Sequence, residues 1–209
     1  MCGHHRARHS TVAAMEIAWN LQLVAQLDGH WRHQLRPRLA GLGDDEYFWE
    51  PVVGSWNVRR RDENPAGAGS GTHRIDWAAP EPVPAPVTTI AWRLGHIIVG
   101  VLGMRVAHYF GGPKTDYESF AYAGTAAEAL RQLDDTYAAW RDGVRKLDAA
   151  ALAEPSEDVW DAYRLWPLAA VVLHVNREVL HHGAEIALLR DLYAAGAAFP
   201  AGSSSPAGQ

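Results

Sequence analysis

Residues 167–193 read PLAAVVLHVNREVLHHGAEIALLRDLY, and this stretch decides the fold. Leu168, Val171, Val175, Glu178, His182, Ile186, Leu189 and Tyr193 recur at three- and four-residue spacing, the period of one helix face. Pro167 suits the first turn of such a helix, where its missing N–H has no partner to lose. Glu178 and His182 stand on this stripe where Leu or Val is expected. An unpaired carboxylate in a core costs several kcal/mol or takes up a proton. Positions four apart differ by roughly 40° in direction and roughly 6 Å along the axis, so the two side chains can reach one point. A carboxylate and an imidazole meeting at one point suit a divalent metal.

Three more helical patterns lie upstream. Ile17, Leu21, Val24, Trp31 and Leu35 predict a helix over residues 12–39. Thr88 or Thr89 can cap a second helix that ends at Gly111-Gly112-Pro113. This helix is apolar nearly all round, as a buried helix is, and its Gly95, Gly100 and Gly103 suggest close approach by a neighbour or a ligand. Thr125-Ala126-Ala127-Glu128 is a capping box for a third helix that carries Leu130, Leu133, Tyr137, Trp140, Val144 and Leu147. Four long helices without strand alternation predict an all-α four-helix bundle over residues 15–194. Residues 1–14 are expected to be a disordered extension and 195–209, rich in Gly, Ser and Pro, a disordered tail.

The long connection Gly41 to Val87 is expected to fold over one end of the bundle. Trp49, Trp56 and Trp77 need apolar cover, whereas Gly67, Gly69 and Gly71 resist ordering and predict a mobile tip. Arg59-Arg60-Arg61, followed by Asp62 and Glu63, reads as a solvated loop. With a net charge of -5, nothing points to a nucleic-acid partner. The single cysteine, Cys2, excludes an intrachain disulfide and fits a cytoplasmic setting. The most apolar stretch, Ile90 to Phe110, is interrupted by Arg93, His96 and Arg105, so no membrane span is expected.

A third metal ligand has to come from a facing helix, and His96 is nearly alone as a polar residue in its part of the second one. Two His and one carboxylate leave an open coordination position, as catalytic rather than structural sites do. The competing reading is a hydrogen-bonded core in which Glu178 and His182 pair with Arg93 or Arg105. His174, four before Glu178, could replace His182, while His181 falls at the helix flank. Glu185 could orient a ligand or be a surface charge. His30 and Trp31 could border the pocket or simply pack, and Trp92, four before His96, is a further candidate for the pocket or the outer shell of the site.

Thr88-Thr89-Ile90-Ala91-Trp92-Arg93-Leu94-Gly95-His96-Ile97 resembles the second-helix motif of the DinB-like (damage-inducible) superfamily. Asn176-Arg177-Glu178-Val179-Leu180-His181-His182-Gly183-Ala184-Glu185-Ile186 resembles its fourth-helix metal motif. Trp49-Glu50-Pro51 with Gly54-Ser55-Trp56 resembles the loop after its first helix. Many members carry His where this chain has Glu178, a departure similar to the mycothiol-dependent maleylpyruvate isomerase and thiol S-transferase branch. The resemblance implies metal ligation by His96, Glu178 and His182, with zinc expected first and nickel or iron as alternatives. It also implies a low-molecular-weight thiol as co-substrate; the related thiol-transferases and isomerases often carry a further C-terminal domain, which the short stretch after the fourth helix is not expected to hold.

Two functional classes stay open. One is an enzyme that activates a thiol for S-transfer or isomerisation of a small molecule, with metal-dependent hydrolysis using the same residues. The other is a non-catalytic metal- or ligand-binding bundle acting in stress response. A homodimer is a further expectation.

Overall fold

The computed structural model describes residues 17–198. The segments expected to be disordered, 1–14 and 199–209 of the tail, lie outside the described residues, whereas Ala195–Ala198 continue the last helix. The chain is mostly helical. In order it forms α1 (residues 19–38), α2 (Asp44–Tyr47), β1 (Val58–Arg60), β2 (His73–Ile75), α3 (Ile90–Phe110), α4 (Ala126–Arg145), α5 (Ala149–Ala153) and α6 (Leu168–Ala198). Turns of π-helix interrupt α1 at Trp31–Leu35 and α3 at Ile97–Gly103, the second directly after His96.

Local chemistry accounts for the helix ends. The Thr89 hydroxyl accepts from Trp92 N–H, and Gly111 ends α3 at φ 69°, a conformation L side chains avoid. The Thr125 hydroxyl accepts from Glu128 N–H at the start of α4. The α1 stripe differs from expectation at its beginning. Ile17 and Leu21 are exposed, and the buried face is Leu23, Val24, Leu27, Trp31 and Leu35. Trp31 stacks on Tyr137 of α4 with ring centroids 3.8 Å apart, so it belongs to the core.

α3 is 21 residues long and apolar enough, by length and composition, to cross a membrane, with a mean hydropathy of 1.4. In this structure 78% of its most apolar window is buried among the other elements. Its glycines are where neighbours come closest. A Cβ at Gly95 would lie 3.0 Å from Ile75 Cδ1 of the connection, and one at Gly103 would meet its own helix and Thr115.

An all-α description omits the hairpin. β1 and β2 pair antiparallel with Val58 opposite Ile75 and Arg60 opposite His73. Three residues per strand are too few to show alternation in sequence. The strands hold because Val58 and Ile75 are fully buried. The basic run is therefore not a free loop. Arg59 pairs with Glu50 at 2.7 Å and Asp76 at 3.0 Å, and Arg61 donates to the carbonyls of Gly69, Ser70 and Gly71. The Gly-rich tip is packed rather than loose. Gly69, at φ 131°, lies against the Tyr122 ring, and Gly71 against Ala121. Glycine is needed there for approach, not for freedom. The tryptophans of the connection do find aromatic partners. Trp56 packs on Trp92 (5.8 Å), Trp49 on Tyr193 (5.6 Å) and Trp77 on Tyr117 (4.6 Å).

A buried ion pair ties α3 to the segment before α6. Arg105 Nε donates to Asp158 Oδ2 at 2.9 Å, and both side chains are almost fully enclosed. Tyr109 Oη and Trp160 N also donate to Asp158, and Arg105 reaches the carbonyls of Gly100 and Val101. Removing one partner strands the other charge, at a cost of about 3–5 kcal/mol. Asp158→Ala is expected to lower unfolding stability by that amount in urea titration, and Arg105→Met with Asp158→Leu to recover most of it. A loss below about 1 kcal/mol for the single variant would contradict this assignment.

Candidate metal centre

His96 leaves the end of the first regular turns of α3, and Glu178 and His182 lie one turn apart on α6. The fold brings His96 to His182, and His182 to Glu178. The His96 and His182 rings meet edge to face with centroids 4.8 Å apart, and His182 Nε2 is 3.5 Å from Glu178 Oε2. Two ligands bound at about 2.1 Å to one tetrahedral centre stand about 3.4 Å apart, a spacing that the Glu178–His182 pair shares with an ordinary i,i+4 ion pair on a helix.

Each imidazole is held by its other nitrogen. His182 Nδ1 is 2.7 Å from Glu185 Oε2. A carboxylate only accepts, so Nδ1 donates to Glu185, and Nε2 is the ring nitrogen turned toward Glu178. Arg93 in turn anchors Glu185, with Nε 2.9 Å from the same oxygen, and its Nη1 is 3.5 Å from His182 Nδ1. His96 Nδ1 is 2.7 Å from the Tyr117 hydroxyl, which leaves His96 Nε2 free as well. Trp92 stacks on His96 with ring centroids 5.4 Å apart and planes 13° apart, and its Nε1 donates to the Asp76 carbonyl. These contacts set ring directions, as the outer partners of metal-binding histidines do.

Electrostatics agree with a neutral donor at His96. Burial, with smaller contributions from His182, Arg93 and Arg105, holds its pKa down to about 3. Burial pushes the Tyr117 phenol up and the Arg93 guanidinium down, the latter partly offset by Glu185 and Glu81. Glu178 is less enclosed than its place on the stripe implied, with 24% of its side chain exposed. Val179 fills the fully buried position instead. The Glu178 carboxylate sits at the rim, where Oε1 also lies 3.4 Å from His174 Nδ1 and from Arg177 Nη2.

The remaining candidates fall at different places. His174 is buried under Tyr163 and bonded by Arg177 at 2.7 Å, so its Nδ1 is already engaged. His181 is mostly exposed and 3.5 Å from Glu185 Oε1. His181, His182 and Glu185 can bring one ligand atom each within 4.8 Å of one another, a second possible grouping. His30 bonds Gln34 at 3.2 Å and lines a groove with Leu35, Gly183 and Ala187. The competing Arg105 pairing does not occur, because Asp158 takes that guanidinium. Tyr117 was not singled out from sequence. The signal for it was Gly100, where a Cβ would collide with the Tyr117 phenol oxygen.

A mostly helical chain with a cluster of His and Glu side chains, His181, His182 and Glu185, whose ligand atoms lie within 4.8 Å of one another, fits a class of helical proteins able to bind a metal. A family model described as the DinB superfamily matches residues 26–186, and the chain belongs to that superfamily. No curated protein and no solved structure matches it significantly.

The depressed His96 pKa has a consequence for the metal-free protein. Below the ordinary imidazole pKa of about 6.5 the unfolded chain takes up a proton that native His96 refuses, so stability falls as pH drops from about 6.5 toward 3. The slope is at most about 1.4 kcal/mol per pH unit. Urea midpoints at pH 7, 5.5 and 4.5 are expected to show His96→Gln losing less than the parent over this range. Parallel pH slopes for the two proteins would contradict the assignment.

Proposed function

We propose that the chain is a metal-dependent enzyme in which His96, Glu178 and His182 hold a divalent ion, zinc first, and that it uses a low-molecular-weight thiol in S-transfer or isomerisation. The observation that carries this reading is the pair of imidazoles 4.8 Å apart, each held through Nδ1, with Glu178 3.5 Å from His182 Nε2. The donor set fits: two neutral nitrogens and one carboxylate at the rim suit zinc, and leave room for a further ligand on the open side. When bound, such an ion lowers the pKa of a coordinated thiol or water.

The protein's own residues would do the rest. Glu178, part-exposed at the rim, would balance part of the ion's charge. Glu185, paired with Arg93, would accept the Nδ1 proton of His182. Trp92, covered by Trp56, closes the His96 side to water. In S-transfer a thiolate sulfur forms a C–S bond at an electrophilic carbon while the leaving group departs with the bonding electrons. Nearness to the mycothiol-dependent branch rests on Glu178 standing where many members have His. A small-molecule partner and a cytoplasmic setting belong to the same proposal.

A second reading is favoured by the His181, His182 and Glu185 grouping. It places the ion on one helix alone, with His181 Nε2 3.5 Å from Glu185 Oε1 while Arg93 holds the other carboxylate oxygen. His182 would have to contribute Nε2, because its Nδ1 is hydrogen-bonded to Glu185 Oε2 at 2.7 Å.

Metal analysis of the purified protein, followed by zinc titration of variants, separates these readings. Glu178→Ala is expected to weaken zinc by more than the about 10–100-fold typical of losing an outer partner. His181→Ala and His174→Ala are expected to change it less. If His181→Ala is the worst of the three, the second reading replaces the first. Thiol dependence is checked separately, by turnover of electrophiles with and without added thiol.

A further inference from the structure

Tyr117 lies in the connection between α3 and α4, twenty-one residues from His96, and its hydroxyl meets His96 Nδ1 at 2.7 Å. Three features hold it there. Gly100, one turn beyond His96 on α3, has no side chain, and a Cβ would strike the phenol oxygen and ring edge. Trp77 covers the ring from outside at 4.6 Å. The Tyr122 hydroxyl donates to the Tyr117 backbone carbonyl at 3.2 Å, fixing the segment that carries the ring.

We infer that Tyr117 is a positioning residue for the metal ligand His96, and that Gly100 serves as the socket admitting its hydroxyl. This inference rests on the proposed ligation by His96, Glu178 and His182. The reason is tautomeric. A ring nitrogen can ligate only through its lone pair, so with Nε2 as donor the ring proton sits on Nδ1 and needs an acceptor. His96 Nδ1 is enclosed, and the Tyr117 oxygen is the acceptor within reach. The same bond fixes ring rotation, together with the Trp92 stack. On α6 a carboxylate does this for His182, whereas on α3 a phenol does it for His96.

The test uses Tyr117→Phe, which keeps the ring under Trp77 and removes only the hydroxyl, and Gly100→Ala, which keeps the hydroxyl and blocks its seat. Circular dichroism of the metal-free variants first establishes that they fold. Zinc affinity is then measured by competition with a chromophoric chelator, and the full-length protein loaded with cobalt(II) gives the visible spectrum of the site. Both variants are expected to bind zinc about 10–100-fold more weakly than the parent. Both are expected to show a cobalt band of altered position or intensity, which loss of packing alone at a distance would not produce. Parental affinity and an unchanged cobalt spectrum in folded Tyr117→Phe would overturn the role of Tyr117 while leaving the metal site intact. A parent protein that binds neither ion would overturn the ligation itself, and this inference with it. If Tyr117→Phe does not fold, Gly100→Ala carries the same readouts, and parental values there overturn the socket.

Discussion

His96 and His182 face each other across the contact of α3 and α6, at the edge of an apolar core, ringed by Arg93, Glu178, Glu185 and Tyr117. Two imidazoles in such a place have four ring nitrogens to satisfy. The Nδ1 atoms are served by protein groups, Tyr117 on one side and Glu185 on the other. The Nε2 atom of His182 is directed at Glu178, too far for a good hydrogen bond and at the right spacing for two ligands of one ion.

The same constraint explains features that look unrelated in sequence. Arg93 is partly buried beside His182, which would be costly without Glu185 to receive its charge. Arg105 lies on the same helix but has its own carboxylate, Asp158, so it does not compete for Glu178. The two arginines are kept apart by separate acidic partners, one from α6 and one from the segment before it. The long connection after α1 likewise serves the centre. Its hairpin packs Ile75 against Gly95, its Trp56 covers Trp92, and Trp77 covers Tyr117.

Much of the fold was legible because helix signals are local. The Thr125 capping box, the αL glycine at Gly111 and the period of residues 168–193 each need only one turn or a few turns of chain to be read. The hairpin was not legible, since strands of three residues carry no usable alternation and their stability comes from burying Val58 and Ile75 against distant elements. The glycines of the connection were read as freedom and proved to be contacts, because sequence shows that a side chain is missing but not what occupies its place. Likewise Ile17 and Leu21 fitted the α1 period, yet α1 is covered only from Leu23 onward.

By itself the sequence determined the helical class and the presence of Glu178 and His182 on one face of one helix. Those properties follow from the 3.6-residue turn and from the cost of polar atoms on an apolar stripe. The sequence also singled out His96, through its apolar neighbours and through the resemblance of its motif. Only the tertiary structure decided which nitrogen of each imidazole is engaged, that Arg93 rather than Arg105 borders the site, and that Tyr117 reaches His96. These depend on the relative placement of α3, α6 and the α3–α4 connection, where a shift of one ångström makes or breaks a hydrogen bond. Residue spacing along one chain does not encode that placement, because it is set by the packing of side chains from all the elements together.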